Sequence, residues 1–373
     1  MPGRAGRNPQ RPIRVNPRRG RLFYYNRIVE DARQRSEEGS PSTIFVSAAG
    51  RLYGSWIGSR TPDGGSGALI RKPEYQIESI LRDGLGLVTA NINTDKFDRV
   101  VDTQQNQSAF SWNSQGSGFG KCVELSTEFG FMFLTDHNNK ITVTPIAQNL
   151  THAVRFTAND LIDSNALKIR RTSSDLIANE IILRYGYNYV TNTYDNDVEV
   201  STNFNTLTNN TRSGFRDGYS SYSTLMSGSR TKYNTTRRME FEAIHTYEKA
   251  SADYITKHLC DWRALQRYIL ELDCPFTKLD SNSNMTTADV EIGDLALVNH
   301  ELLPLQTSNI SGTTAISDNA LFVVTNTFFD TSTLTFHFIL RETPYGDIPT
   351  QSEMGTAETG YGARTGTDYG GGL

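Results

Sequence analysis

The chain has 373 residues, of which 37% are hydrophobic and 10% aromatic, and its formal net charge is −4. That length and apolar content suit two or three domains with a sizeable core, and they exclude a coiled coil or a disordered chain. Three cysteines cannot build a disulfide framework and none are spaced as metal ligands, while no apolar run is long enough to span a bilayer. The expectation is a soluble protein of a reducing compartment, without a secretory signal or membrane insertion.

Residues 1–40 read as an extended arm. Within its first 27 positions stand Arg4, Arg7, Arg11, Arg14, Arg18, Arg19, Arg21 and Arg27, with four prolines and neither lysine nor acid. Such a segment has too little apolar surface to fold alone. Residues 41–150 read as a small α/β region with a hairpin. In it, "SAAGRLYGSWIG" suggests a short strand and "TPDGGSG" a turn. "KPEYQIESILRDGLGL" then suggests a helix with Pro73 in its first turn, Ile77, Ile80 and Leu81 on one face, and Gly84 as its stop. A second short helix is expected near 121–129. "FGFMFLTDHNNKITVTPI" follows as two strands around a turn at 136–140.

From about 151 to 350 the pattern is β-rich. "NEIILRYGYNYV" alternates Ile181, Leu183, Tyr185, Tyr187 and Tyr189 against Glu180, Ile182, Arg184 and Asn188, as one buried strand face requires. The Asn/Ser/Thr-rich stretch 191–236 reads as loops with weak strands. Ile255, Leu259 and Trp262 then form the stripe of an amphipathic helix over about 248–266, which leads into the strand "YILELDCP". "EIGDLALVNH" reads as a turn at Gly293-Asp294 and a strand ending near His300. "LFVVTNTFFDTSTLTFHFIL" reads as two strands around 330–333, with Leu334, Phe336, Phe338 and Leu340 on one face. The Gly-rich stretch 351–373 reads as a flexible tail.

Candidate chemistry is sparse. "QGSGFGKC" fails the phosphate-loop pattern at both Gln115 and Cys122. His258, Cys260 and Cys274 lack a fourth zinc ligand, and positions 258 and 260 point to different faces of a helix. Asp136-His137 sits in a turn, where Asp is favoured for local backbone bonding. Glu271 and Asp273 share one strand face, which reads as solvated or as lining a lumen. No catalytic, cofactor-binding or metal-binding residue is nominated, and no enzyme activity is expected.

Taken in order, "KPEYQIESILRDGLGL", "FGFMFLTDHNNKITVTPI", "NEIILRYGYNYV" and "ASADYITKHLCDWRALQRYILELDCP" leading to "EIGDLALVNH" resemble the baseplate hub or tail-tip hub family of tailed bacteriophages, over residues 70–345. The resemblance implies an α+β, predominantly β fold with several antiparallel barrel-like domains and a few short helices, forming a ring, usually a homotrimer. It implies a virion protein, assembled in the host cytoplasm, whose partners are further copies of itself, the tail tube or distal tail protein, the spike or central fibre, and the tape-measure protein, with DNA passing transiently. The arginine arm is not part of that pattern; read from its charge alone, it reaches onto an acidic neighbouring subunit. The alternative is a nucleic-acid-binding or connector assembly protein acting through the same arm, since unopposed guanidinium groups also bind phosphates.

Overall fold

The computed structural model of the protein describes residues 69–103, 106–109, 117–136, 138–146, 153–163, 167–189, 191–213, 215–276, 286–300, 303, 306–309, 312–314 and 320–346. The arginine arm, the strand expected at 47–58 and the 351–373 tail lie outside these residues.

Helix α1 spans Pro73–Ser79 and continues as one π turn, Ile80–Gly84, where it stops as its glycine suggests. Pro73 occupies the first turn, where a missing amide costs nothing. The expected face is the buried one: Ile77, Ile80 and Leu81 are at most 1% exposed. Helix α2, Thr94–Thr103, was not expected; it buries Phe97 and Val100, and its Asp98 accepts a hydrogen bond from the Tyr75 hydroxyl at 3.0 Å. Helix α3, Gly118–Phe129, starts three residues before its expected position. The hairpin follows as β1, Phe131–Thr135, and β2, Ile141–Pro145.

The remaining strands are β3, Val154–Thr157; β4, Lys168–Arg171; β5, Glu180–Asn188; and β6, Thr193–Val200. Helix α4, Tyr222–Tyr233, precedes β7, Arg238–Glu242, and helix α5, Lys249–Arg263, precedes β8, Tyr268–Pro275. Last come β9, Leu295–Asn299; the small pair β10, Gln306–Asn309, and β11, Gly312–Thr314; and the long hairpin of β12, Ala320–Asp330, and β13, Thr335–Gly346.

Six strands form one sheet in the order β3-β9-β12-β13-β8-β4, parallel only at β3/β9. Alternation along each strand sends Val154, Phe156, Leu270, Leu272, Ala296, Val298, Phe322, Val324, Phe338 and Leu340 into a single core. A sheet whose strands converge on one core must bend, and two register shifts in β12/β13 supply local bends. The sheet curls into a half-barrel. Its other face is covered in part: Leu295, Leu321 and Val323 pack under Trp262 of α5 and Met132 of β1. The second sheet, β6-β5-β7, pairs β5 with β6 antiparallel and with β7 parallel. On β5 the face read as buried holds Ile181, Leu183 and Tyr185 in the core, with Tyr187 half-buried, but Ile182 on the opposite face is buried as well, so the alternation holds only in part. The protein is therefore α+β and predominantly β.

Two expectations need correction. The stretch 191–236 holds, besides loops and the strand β6, the unexpected twelve-residue α4, which starts from a capping box in which Ser221 and Thr224 bond each other's backbone amides. Leu334 is not part of a buried strand face either. It sits in the β12–β13 turn with φ +54 and is exposed, so the buried alternation starts beyond it with Phe338 and Leu340.

Candidate assembly surfaces

The most highly charged spot among the described residues is closed. Arg212 has a side chain with no exposed surface and bonds Asp217 at 2.8 and 3.0 Å, Asp261 at 3.0 and 2.8 Å, and the Tyr219 carbonyl at 3.1 Å. Its guanidinium lies 4.0 Å from the centre of the Phe215 ring. Burial alone would lower the Arg212 pKa, but the hydrogen bonds and charges of the two aspartates outweigh it and raise it. Burial pushes Asp261 up to about 7 against the pull of Arg212. The charge of Asp217, which shares the same cation, adds to that upward push. Beside this group, Glu342 of β13 accepts from Arg216 at 3.0 Å and from the Tyr268 amide at 2.9 Å. These bonds tie the 205–221 segment to α5 and the half-barrel, so the cluster holds the structure together and has no opening for a substrate.

The groups singled out in the sequence are equally occupied. Glu271 pairs with Arg170 at 3.1 Å and lies 3.9 Å from Lys168, and Asp273 bonds His337, so both acids stand on a half-exposed strand face. Asp136 accepts from the amides of Asn138 and Lys140 and from Asn93, as a turn residue should. Burial would raise its carboxyl, but these bonds outweigh it and hold the group below its ordinary value. His137 lies outside the described residues. In "EIGDLALVNH", Glu291 binds Lys96 of α2 at 2.7 Å and its amide donates to Asp294 at 2.8 Å. Gly293 turns the chain at φ +94, where a Cβ would come within 3.1 Å of Thr144. Strand β9 follows, as expected, with His300 buried just beyond its end.

His258 packs over Gly130, and burial together with the charges of Arg341 and Arg263 pushes its pKa down to about 4. Cys260 is fully buried and its thiol is raised well above its ordinary value, while Cys122 and Cys274 are pushed up to about 12 by burial. Thiols of that kind are poor nucleophiles and poor metal ligands. Among the described residues no three His, Cys, Asp or Glu side chains converge as metal ligands would. No described helix is long and apolar enough to cross a membrane.

What is open is a set of surfaces. At the tip of the β12–β13 hairpin, Phe328 and Leu334 are 62% and 63% exposed, and Phe276 beyond β8 is 63% exposed. Phe276, Phe329 and Phe336 form a chain of rings with centroids 6.3 and 4.5 Å apart. Isolated exposed apolar residues need no explanation, but a contiguous group such as the Phe276, Phe336 and Phe329 rings marks a docking surface; Phe328 lies on the other face, stacked on His337. Sequence reasoning missed it, although the signal was present: Phe328 and Phe329 are adjacent on one strand, so they cannot both face the core. The sheets also end in edge strands, β3 and β4 on the half-barrel and β6 and β7 on the smaller sheet; the far end of β6, at Glu199–Val200, is met by residues 205 and 206, which leaves Asp195 and Asp197 on its open part. The arm arginines expected to contact a partner lie outside the described residues.

No family model matches the chain, and no curated protein does. Among solved structures, the virion of a native gene transfer agent particle aligns with a TM-score of 0.41 and 13% identity, covering 72% of this chain and 46% of that one. The 43 kDa tail protein of prophage MuSo2 from Shewanella oneidensis aligns with a TM-score of 0.41 and 11% identity, covering 73% of this chain and 66% of that one. A tail protein from Neisseria meningitidis aligns with a TM-score of 0.35 and 6% identity, covering 63% and 56%. The structural neighbours are thus virion and phage tail proteins, and the aligned region spans about half to two thirds of their length.

Proposed function

We propose that this chain is a structural component of a bacteriophage tail: a hub at the distal end that joins the tail tube to the spike or central fibre and surrounds the DNA exit channel. The observation that carries the reading is the exposed aromatic end of the β12–β13 hairpin, a preformed docking surface on a rigid β scaffold. The order of segments in the sequence, which resembles tail hubs over residues 70–345, agrees with it. In this reading three copies close a ring. The exposed aromatic end seats a neighbouring tail protein, and the arm carrying Arg4, Arg7, Arg11, Arg14, Arg18, Arg19, Arg21 and Arg27 reaches an acidic surface of the next subunit. Polar strand faces such as that of Glu271 and Asp273 suit a channel through which DNA and the tape-measure protein must pass without sticking. The reading assigns the chain no catalysis.

Light scattering behind size exclusion, on full-length protein over a range of concentrations, tests the ring. A trimer of about 125 kDa, three times 41.7 kDa, is expected. A strict monomer at every concentration removes the self-closing hub. The arm itself favours a second reading, nucleic-acid binding, and deletion of residues 1–27 separates the two. Loss of incorporation into tails supports the hub, whereas loss of salt-dependent DNA binding with assembly intact supports the alternative.

A further inference from the structure

Two of the open edges carry opposite charge. Strand β4 reads Lys-Ile-Arg-Arg over 168–171, with Lys168, Arg170 and Arg171 exposed and Glu271 as the carboxylate near the first two. Among the described residues Arg171 stacks on the Tyr268 ring and donates to its hydroxyl, and no carboxylate pairs with it. Strand β6 carries Asp195, Asp197 and Glu199, and no cation among the described residues pairs with any of them. Three cations with one acid on one edge, and three unpaired acids on another, leave both edges uncompensated.

The backbone hydrogen bonds fix which residues each edge offers. In β4, the Thr172 amide donates to the Arg267 carbonyl, so the even positions 168, 170 and 172 turn toward β8. By alternation Ile169 and Arg171 direct their amide and carbonyl outward. In β6, the Thr206 amide donates to the Glu199 carbonyl, away from β5, and the Gly186 amide opposite Asp195 goes to the Thr246 carbonyl instead of to β6. Asp195 and Asp197 therefore also direct their backbone groups outward, and both side chains are exposed.

We infer that β4 of one copy adds to β6 of the next as a parallel strand pair, with Lys168 opposite Asp195 and Arg170 opposite Asp197. In this register the outward amide and carbonyl of Ile169 bond the Asp195 carbonyl and the Asp197 amide, the pattern that a parallel ladder requires. Both ion pairs then fall on one face. An antiparallel pairing of the same outward groups places Lys168 and Arg170 opposite Tyr194, Asn196 or Val198, which answers neither charge. The contact joins two different edges of identical chains, so it is heterologous, and repetition about an axis closes a ring and covers two exposed edges at once. The inference rests on the self-assembling ring proposed above and names where that ring is joined.

The test is charge reversal on the full chain, read as molar mass by light scattering. K168D/R170D and D195K/D197K are each expected to reduce the wild-type oligomer to a monomer of 41.7 kDa. Combining all four substitutions restores opposite charges across the contact and is expected to restore the oligomer. All four side chains are exposed, so unchanged circular dichroism and unfolding midpoints verify that each variant folds. An oligomer that survives both reversals overturns this contact while leaving the ring reading intact. A wild-type chain that is monomeric overturns both, and so does dissociation by the reversals without rescue overturn the proposed pairing.

Discussion

The Arg212 centre and the β4 and β6 edges use the same residue types to opposite ends. In the first, one guanidinium donates four bonds to two aspartates inside the fold and a fifth to the Tyr219 carbonyl, and nothing is left over for a partner. In the second, Asp195, Asp197 and Arg171 are exposed and form no ion pair among the described residues. A buried charge must be answered within its own chain or folding is penalised, whereas a surface charge costs little to leave open and can select a partner. The difference shows which charges hold the molecule together and which are available for assembly.

Four substitutions or conditions would break or sharpen that contrast. The largest effect is expected from Arg212→Met, which strands two buried carboxylates and should cost about 3–5 kcal/mol in urea unfolding. A loss under about 1 kcal/mol would mean that the centre relaxes into water and is not closed. Next comes acid. His258 is held neutral with a pKa of about 4 against 6.5 when free, so its contribution is fully present above pH 6.5 and is lost as pH falls toward 4. Asp261, raised to about 7, gains stability over the same range, so the test is a difference between variants: from pH 7 to pH 4 the wild type should lose about 3 kcal/mol relative to His258→Leu in unfolding. Gly130→Ala should cost about 1–3 kcal/mol, because Gly130 has φ +74 and a Cβ there meets the His258 ring at 2.9 Å. The smallest effect on the monomer is expected from Arg170→Met at the edge, below about 1 kcal/mol, because its pair with Glu271 is exposed. The same substitution should nevertheless weaken the oligomer, and a protein whose stability and assembly both ignore it would erase the contrast.

Much of the fold was legible where burial follows a simple period. Strand β5, helix α5, strand β8 and the β1–β2 and β12–β13 hairpins stand where alternation, a helical stripe or turn residues put them. The rest was hidden for identifiable reasons. Helix α4 is rich in Ser and Thr, which locally favour turns, and it is stabilised by burying Tyr222, Leu225 and Met226 and by the capping box at Ser221. Helix α2 shows only Phe97 and Val100 as its apolar face, too short a stripe to announce itself. Of the candidate sites, Glu271, Asp273 and Asp136 were legible as strand-face and turn residues. The Arg212 centre was not, because Asp217 and Asp261 lie 5 and 49 positions away and only the fold brings them together.

The sequence by itself determined the β-rich class, the main amphipathic helix, the turn at Gly293 and the absence of any recognisable catalytic motif, because these depend on residues within a few positions of one another. Only the tertiary structure decided the strand order of the half-barrel, the partners of the buried charges, the exposure of the aromatic hairpin tip and the direction in which β4 and β6 present their backbones. Each of those is set by contacts between distant segments, and alternation along a strand says that its two sides differ without saying which neighbour either side will meet.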